Sequence, residues 1–297
     1  PADGYYNSEQ KLIYGLAGVY GVLNSEALYG NYYSLQIANA DDLCYFNNYN
    51  NSESRPDRYN HSAGTAAIYD TWSKLYEGIK NANRYIEAVE KTEIDPEKLS
   101  VDIGLYIAEA RFLRAYYYFC LMRLYGPVVL LGEGVADFND LALRERDRNP
   151  WDECGDWVAE ECRKAAADLP LTQPDSYLGR ATKGVALALR ARLLLYAARP
   201  LFNGNPMYRN MTNAEGKYLF PQSYDASKWT KAAEAARDVL DLRQYELIET
   251  GNPYVDWRAV FTQKWNRELI FGYQKTSYNW RVATIPLGAV SYTHLRA

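Results

Sequence analysis

The chain has 297 residues, 33 of them basic and 37 acidic, and 48% of its side chains are hydrophobic. This hydrophobic fraction excludes a disordered chain, and the length suits one sizeable core or two modest ones. The net charge of −4 argues against nucleic acid or an anionic membrane surface as a partner. Tyrosine occurs 28 times and histidine only twice. Because histidine is the usual general base and a common metal ligand, this composition favours binding over catalysis.

The first half of the chain predicts amphipathic helices separated by a long loop. Hydrophobic residues recur with a period of 3.6 residues over 8–24, 66–91 and 104–125. The last of these helices is expected to end at Gly126-Pro127, because glycine can supply a left-handed cap and proline cannot continue a helix. Residues 39–65 lack a helical period and mix amide side chains with aromatic rings. A loop of this length predicts a functional segment.

The second half predicts further helices over 150–169, 181–199 and 228–242. Asn149 can cap the first of them, and Pro150 suits its first turn. The helix over 228–242 is rich in alanine, which lets a neighbouring helix approach closely. We therefore expect leucine in place of its alanines at 233 or 236 to overpack the contact.

The predicted helices follow one another in pairs along the chain, with 228–242 left without a partner. Such pairs predict an all-α dominated fold, a tetratricopeptide-like array of helix pairs with long irregular loops. Besides 39–65, the loops are 200–225 and 272–285. A few short strands are also predicted, at the apolar runs 127–131 and 268–274.

The four cysteines predict neither a metal site nor a disulfide within a helix. No CxxC motif occurs, and Cys154 and Cys162 are about 12 Å apart along the predicted helix, too far for a bridge. Cys120 lies on an apolar helical face and is predicted to be a core residue. No metal and no cofactor is predicted.

Aromatic and basic residues inside the helices are interpreted as structural. The rings at 116–119 fall at core spacing. The guanidinium groups of Arg111, Arg114, Arg190 and Arg192 are predicted to pair with partners on other helices. Because Arg190 and Arg192 also interrupt the longest apolar stretch, no transmembrane helix is predicted.

Five segments together resemble the SusD/RagB family, and their order and spacing match it over about residues 5–288. The resemblance therefore implies a SusD-like helical-repeat region over 1–288 with inserted loops, and a chain that is a fragment because family members run on further. Residues 289–297 continue no recognisable element and are expected to be a non-native tail. The segments are WSKLYEGIKNANRYIEAVE (72–90), AEARFLRAYYYFCLMRLYGPVVLL (108–131), GRATKGVALALRARLLLYAARPLF (179–202), WTKAAEAARDVLDL with YEL (229–247) and ELIF (268–271).

The resemblance implies a non-enzymatic protein of the outer membrane of Bacteroidetes-type bacteria. Family members are surface lipoproteins that bind an oligo- or polysaccharide and deliver it to a SusC-like TonB-dependent transporter for nutrient uptake. The lipid-carrying cysteine of the family is absent from this chain, since Cys44 lies too far from the N terminus. Nucleic acid is not an implied partner, and membrane attachment is implied only through that lipid anchor.

Two other classes of function are considered. A tetratricopeptide scaffold that binds peptides is the main alternative, but such scaffolds have short turns between helices. A glycosidase would need two carboxyl groups about 5–9 Å apart across the scissile bond, whereas Asp41 and Asp42 are adjacent in one loop. His61 lacks an evident acid or nucleophile partner. A hydrolytic reading is therefore disfavoured.

The candidate ligand-binding residues are aromatic and polar side chains of the loops before and after the helical region. The apolar face of a sugar ring stacks on tyrosine and tryptophan, while amides and arginine bond its hydroxyls. The alternative is that each ring only anchors its loop on the helices. The predicted set is Tyr45, Phe46, Tyr49, Arg58, Tyr59, Tyr278, Asn279 and Trp280.

Overall fold

The structure, a computed structural model, divides the chain into two compact units, residues 1–23 with 75–272 and residues 24–74 with 273–297. Of the second unit the structure describes only 66–74, which form the beginning of a helix. Every contact reported below lies within the first unit. The described residues are 5–23, 66–100, 102–136, 139, 141–263 and 265–272.

The described residues are helical, as predicted, and each predicted helix is present. Two helices were not predicted: a single turn, α4, and the short α8, which begins at a proline. No helix among the described residues is long and apolar enough to cross a bilayer. The helices are α1 (Glu9–Tyr20), α2 (Ala66–Glu90), α3 (Ile103–Tyr125), α4 (Leu141–Arg144), α5 (Trp151–Asp168), α6 (Lys183–Ala198), α7 (Ser227–Asp241) and α8 (Pro253–Thr262).

Helix α3 lies at the centre of the array, with α1, α5 and α6 packed against it. Apolar and aromatic side chains fill consecutive positions of its sequence, so it is buried on nearly all sides; Tyr117, Tyr118 and Phe119 are at most 1% exposed. Helix α2 approaches α3 closely at Gly78, where a Cβ atom would lie 2.6 Å from Cδ2 of Tyr117. The array then continues from α5 to α6 and from α6 to α7.

Arg111, Arg114 and Arg190 pair with groups on neighbouring helices, as predicted. The guanidinium of Arg192 lies over the Phe119 ring of α3, 5.6 Å from its centroid. Arg114 of α3 is fully buried; its Nε donates to Glu161 of α5 (3.1 Å) and its Nη1 to the side-chain oxygen of Asn83 of α2 (2.7 Å). Arg190 of α6 pairs with Asp238 of α7 at 3.0 Å. These two pairs differ in environment, because the first has no access to water and the second is largely exposed.

The prediction of short strands at 127–131 and 268–274 is wrong for the described residues, none of which forms a strand. The segment 127–131 is extended but has no strand beside it. Side chains bind its backbone instead: the N–H groups of residues 129, 130 and 131 donate to the Tyr76 hydroxyl (3.1 Å), the Asn149 side-chain oxygen (2.9 Å) and the Tyr118 hydroxyl (2.9 Å). Residues 268–272 are irregular, with a turn at 268 and a bend at 270, and 273–274 lie outside the described residues.

The N terminus of α5 differs from the predicted one by one residue. The helix begins at Trp151, and Pro150 occupies the N-cap position without a capping hydrogen bond from its side chain. Asn149 does not cap the helix because its side chain is engaged on both sides: its oxygen accepts from the backbone of Leu130, and its nitrogen donates to Glu153 at 2.9 Å. This amide connects the extended segment to α5.

The prediction that the α7 alanines at 233 and 236 face a neighbouring helix is wrong. Ala232 and Ala235 are buried, at 6% and 1% exposure, whereas Ala233 and Ala236 are exposed. Among the described residues, helix α7 packs on α6. Ala232 and Ala235 are three residues apart and therefore lie on the same side of the helix. Ala233 and Ala236 each follow one of them in the sequence and therefore point away from that side.

Cys120 lies in the core, as predicted. Cys120, Cys154 and Cys162 are fully buried and unbridged. Burial raises the pKa of Cys154 to about 12, so its thiol is protonated at neutral pH. Cys44 lies outside the described residues.

Candidate functional site

The loop residues predicted to bind ligand, and the loop residues weighed for catalysis, all lie outside the described residues. Their prediction stays a prediction, and the candidate site described here is built from other residues. The residues concerned are Tyr45, Phe46, Tyr49, Arg58, Tyr59, Tyr278, Asn279 and Trp280, together with Asp41, Asp42 and His61.

The long loop between α6 and α7 is described, and it is held firmly at its two ends. Asn203 is buried; its side-chain nitrogen donates to the carbonyl of Asp225 (2.8 Å), and its oxygen accepts from the N–H of the same residue (2.9 Å). Gly204 has a φ of 73°, and a Cβ there would lie 2.4 Å from the backbone nitrogen of Tyr224. The loop end at Tyr224 and Asp225 is therefore fixed against its beginning.

Aromatic stacking anchors the same loop on α5. The ring of Trp151 stacks on Phe202 at 4.7 Å between centroids, and Phe202 stacks on Phe220 at 6.3 Å. Tyr208 covers the other rings by stacking on Phe220 at 4.4 Å. These contacts give the loop a small apolar core of its own, which explains how a segment rich in proline, glycine and asparagine keeps one conformation.

Two aromatic side chains remain exposed where this loop enters α7. Tyr224 and Trp229 are 57% and 41% exposed, and the indole N–H of Trp229 donates to the Tyr224 hydroxyl at 2.9 Å. The hydrogen bond fixes the two rings relative to each other while leaving their faces open to solvent. We call Tyr224 and Trp229 the aromatic pair.

A cleft with a volume of about 140 Å³ lies between α5, α6 and the start of α7. The pair adjoins it in sequence, since Asp225 and Lys228 line the cleft. The ammonium group of Lys228 lies 2.7 Å from each carboxylate oxygen of Asp152 on α5, which ties α7 to α5 across the cleft. Apolar side chains of α6 complete the lining, from Leu193, Leu194 and Ala197.

The polar groups of the cleft combine donors with acceptors. Asp152, Asp156 and Asp225 supply carboxylates and Lys228 and Lys231 supply ammonium groups, which leaves one net negative charge. The hydrogen bond from the Ser227 hydroxyl (2.7 Å) lowers the pKa of Asp225, so this carboxylate is ionised at neutral pH.

Trp151 of the cleft lining is only 1% exposed. Its indole N–H has no hydrogen-bond acceptor among the described residues. A buried donor left without an acceptor costs about 1–3 kcal/mol.

A second polar cluster, around Glu109 of α3, is closed by its own partners. The buried Glu109 accepts from both Nε (2.9 Å) and Nη2 (2.6 Å) of Arg180 and from the Tyr20 hydroxyl (2.7 Å). Burial raises the pKa of Glu109, and the hydrogen bonds from Arg180 and Tyr20 oppose the rise. Its carboxylate oxygens are occupied, so the cluster joins α1 and α3 to the loop before α6. The residues that the structure describes contain no group of His, Cys, Asp and Glu able to hold a metal ion.

The described residues define a helical-array protein with a polar cleft between three of its helices. The family profile SusD-like_3, described as starch-binding associating with outer membrane, matches residues 2–195. The chain belongs to this SusD-like family, as the resemblance predicted. The match includes α1 through most of α6 and therefore the core built around α3.

A named relative and two solved structures agree with this assignment. SusD-like protein P25 of Formosa agariphila is 25% identical over 199 residues, which are 64% of this chain and 37% of that protein. A SusD-like protein of Bacteroides fragilis superposes with a TM-score of 0.68 at 25% identity, covering 93% of this chain and 46% of its own. Surface glycan-binding protein A of Bacteroides uniformis shares the fold, with a TM-score of 0.63 at 18% identity over 89% of this chain and 52% of its own. The chain thus spans about half the length of these relatives or less.

Sequence reasoning missed the cleft and the aromatic pair. Asp152 lies in the first turn of α5, and its partner Lys228 is 76 residues away in the sequence. The available signal was the segment YDASKW (224–229), in which two aromatic residues flank an acidic and a basic side chain at the start of a helix.

Proposed function

We propose that this chain is part of a glycan-binding protein that captures an oligo- or polysaccharide and does not cleave it. The observation that carries the proposal is the family match over residues 2–195, whose description is starch-binding associating with outer membrane. A relative with the same fold is named as a surface glycan-binding protein, which supports the same ligand class. The aromatic-rich composition suits a ligand that stacks on rings.

The primary binding residues in this proposal are the predicted loop aromatics and their polar neighbours. Tyr45, Phe46, Tyr49 and Tyr59 with Arg58, and Tyr278 and Trp280 with Asn279, provide rings next to hydrogen-bonding groups within short stretches of sequence. Each ring that stacks on a sugar face contributes on the order of 1 kcal/mol. Several rings together give micromolar affinity, about −8 kcal/mol.

The proposal also specifies a cellular location and a partner protein. The whole protein acts at the outer membrane as a surface lipoprotein and passes its glycan to a SusC-like TonB-dependent transporter. The family description supports the outer-membrane location. The transporter and the lipid anchor rest on the resemblance to the SusD/RagB family.

The test is a glycan array with the purified chain, followed by calorimetry on the best ligand. We expect micromolar binding that does not change with chelator and changes little with salt, and no release of reducing ends from the glycan. The variants W280A and Y59A should each weaken binding about tenfold. Tyr14 is a matched control, because it is an aromatic residue of α1 that is 64% exposed, and Y14A should bind like the parent chain. Binding to a peptide library and to no glycan would favour the tetratricopeptide scaffold instead, and cleavage of the glycan would overturn the proposal.

A further inference from the structure

We infer that Asn203 and Gly204 form a latent modification site in the loop between α6 and α7. When the loop opens, the Asn203 side chain can deamidate, and the carboxylate that results no longer fits the closed loop that the structure shows. The inference goes beyond the proposed function, because it concerns how long the loop stays closed, whether or not a glycan binds.

The sequence Asn-Gly supplies both reacting groups of this modification. The backbone nitrogen of the residue after an asparagine attacks the side-chain carbonyl carbon, and its proton passes to the departing amide nitrogen, which leaves as ammonia. Water then opens the succinimide ring to aspartate or isoaspartate. Glycine in the second position allows the attack most readily, because it has no Cβ atom to hinder it. The chain contains one Asn-Gly sequence, at 203–204.

The closed loop depends on the same two residues. The Asn203 side-chain nitrogen donates to the carbonyls of Ala198 (3.2 Å) and Asp225 (2.8 Å), and its oxygen accepts from the N–H of Asp225 (2.9 Å). An amide both donates and accepts in this way, whereas a carboxylate only accepts. Gly204 has a φ of 73°, and a side chain there would clash with the backbone of Tyr224. The loop is therefore held by a reactive dipeptide.

The closed loop also suppresses the reaction. Asn203 is 2% exposed, so the water that must open the succinimide ring has little access to it. The amide must also rotate to present its carbonyl carbon to the Gly204 nitrogen, and this rotation breaks its hydrogen bonds to Ala198 and Asp225. Deamidation therefore requires a local opening, and its rate follows the population of the open loop.

The product of the reaction cannot restore the closed loop. A carboxylate at 203 has no donor for the carbonyls of Ala198 and Asp225, and its oxygens repel both of them. Isoaspartate in addition lengthens the backbone by one carbon, which displaces Gly204 from its close approach to Tyr224. Each deamidation thus converts a transient opening of the loop into a permanent one.

The first experiment measures deamidation at Asn203 in the whole chain. The chain is incubated at mildly alkaline pH, once native and once in urea, and peptide mass spectrometry follows the conversion of each amide to an acid over time. We expect Asn203 to deamidate in urea, and at least about tenfold more slowly in the native chain. The internal control is Asn7, which is exposed and precedes the small residue Ser8, so its rate should be similar in both conditions.

The second experiment uses the variant N203D, which carries one product of the reaction. Its melting temperature should fall by about 4–12 °C, because two backbone carbonyls lose their donor and a charge is buried. The matched control is N205D. Asn205 is half-buried, and its oxygen accepts from the N–H of Met207 at 2.9 Å, a bond that a carboxylate keeps. N205D should therefore melt like the parent chain.

Each part of the inference has an outcome that overturns it. Equal rates for Asn203 in the native chain and in urea would refute the protection by the closed loop. No deamidation of Asn203 in urea would refute the modification site itself. Equal melting temperatures for N203D and N205D would refute the damage to the loop. None of these results bears on glycan binding, which the array tests separately.

Discussion

Removing the charge of Glu161 tests whether the buried ion pair of α3 and α5 holds the array together. Glu161 is 1% exposed and accepts two hydrogen bonds from Arg114, which is fully buried. In E161Q the guanidinium of Arg114 keeps the Asn83 side chain at 2.7 Å and a backbone carbonyl at 3.4 Å, but no carboxylate remains in contact with it. An uncompensated buried charge then replaces a neutralised pair.

The expected cost is about 3–5 kcal/mol, the usual loss when one partner of a buried pair is removed. A domain of roughly this size loses about 2–4 °C of melting temperature per kcal/mol, so the midpoint should fall by roughly 6–20 °C. Urea denaturation followed by circular dichroism gives the free energy of unfolding, and a thermal melt gives the midpoint. Both measurements compare E161Q with the parent chain.

The matched control is D238N, which removes one carboxylate charge from an exposed pair. Asp238 lies 3.0 Å from Arg190, with side-chain exposures of 50% and 28%. Exposed pairs contribute about 0–1 kcal/mol, so D238N should change stability little. The double variant R114M/E161M should recover much of the loss, because it removes both fully buried charges and Arg111, which also contacts Glu161, keeps Glu133 at 3.8 Å. A loss below 1 kcal/mol in E161Q, or a loss equal to that of D238N, would refute the role of this pair.

Three further predictions concern packing and thiol chemistry. G78A should destabilise the fold by about 1–3 kcal/mol in the urea assay, because its Cβ would clash with the ring of Tyr117. In the control G18A the Cβ meets nothing within 4 Å, so this variant should stabilise the fold by up to about 1 kcal/mol. A235L should cost about 1–3 kcal/mol and its neighbour A233L less than about 0.5 kcal/mol, and equal losses would contradict the register of α7. Iodoacetamide at pH 8 should leave Cys154 unmodified in the native chain, because burial raises its thiol pKa to about 12. In urea the same thiol should be fully modified, and peptide mass spectrometry measures both outcomes.

Most of the helices were predictable because they carry apolar residues at helical spacing, which is a local property of the sequence. Helix α3 is buried on nearly all sides, and its long apolar run and its end at Gly126, where φ is 75°, made it predictable. Helix α8 was missed because it spans only Pro253–Thr262, too short for the period to stand out, although Asn252 caps it through two backbone N–H groups. The start of α8 can therefore be recognised from its capping residue, although its apolar residues are too few to show a helical period.

The extended run 127–131 and the cleft show what a local pattern cannot convey. Valine and leucine in sequence predict a strand, but the groups that bind this backbone are hydroxyl and amide side chains up to 53 residues away. The cleft likewise needs three helices and a salt bridge between residues 76 apart. The register of the α7 alanines was mistaken for a related reason, since composition reveals small residues but not which of them face α6.

The side-chain bonds to residues 129–131 have a consequence for how this protein unfolds. An amide in a helix is protected from solvent exchange as long as its own helix persists, but these amides depend on Tyr76 of α2, Tyr118 of α3 and Asn149 before α5. Their deuterium uptake therefore reports when those three elements separate from one another, even while each helix stays intact. Amide exchange in this segment therefore measures whether the three elements are packed together. As the denaturant concentration rises, exchange at residues 129–131 should accelerate before exchange at the amides in the centre of α3.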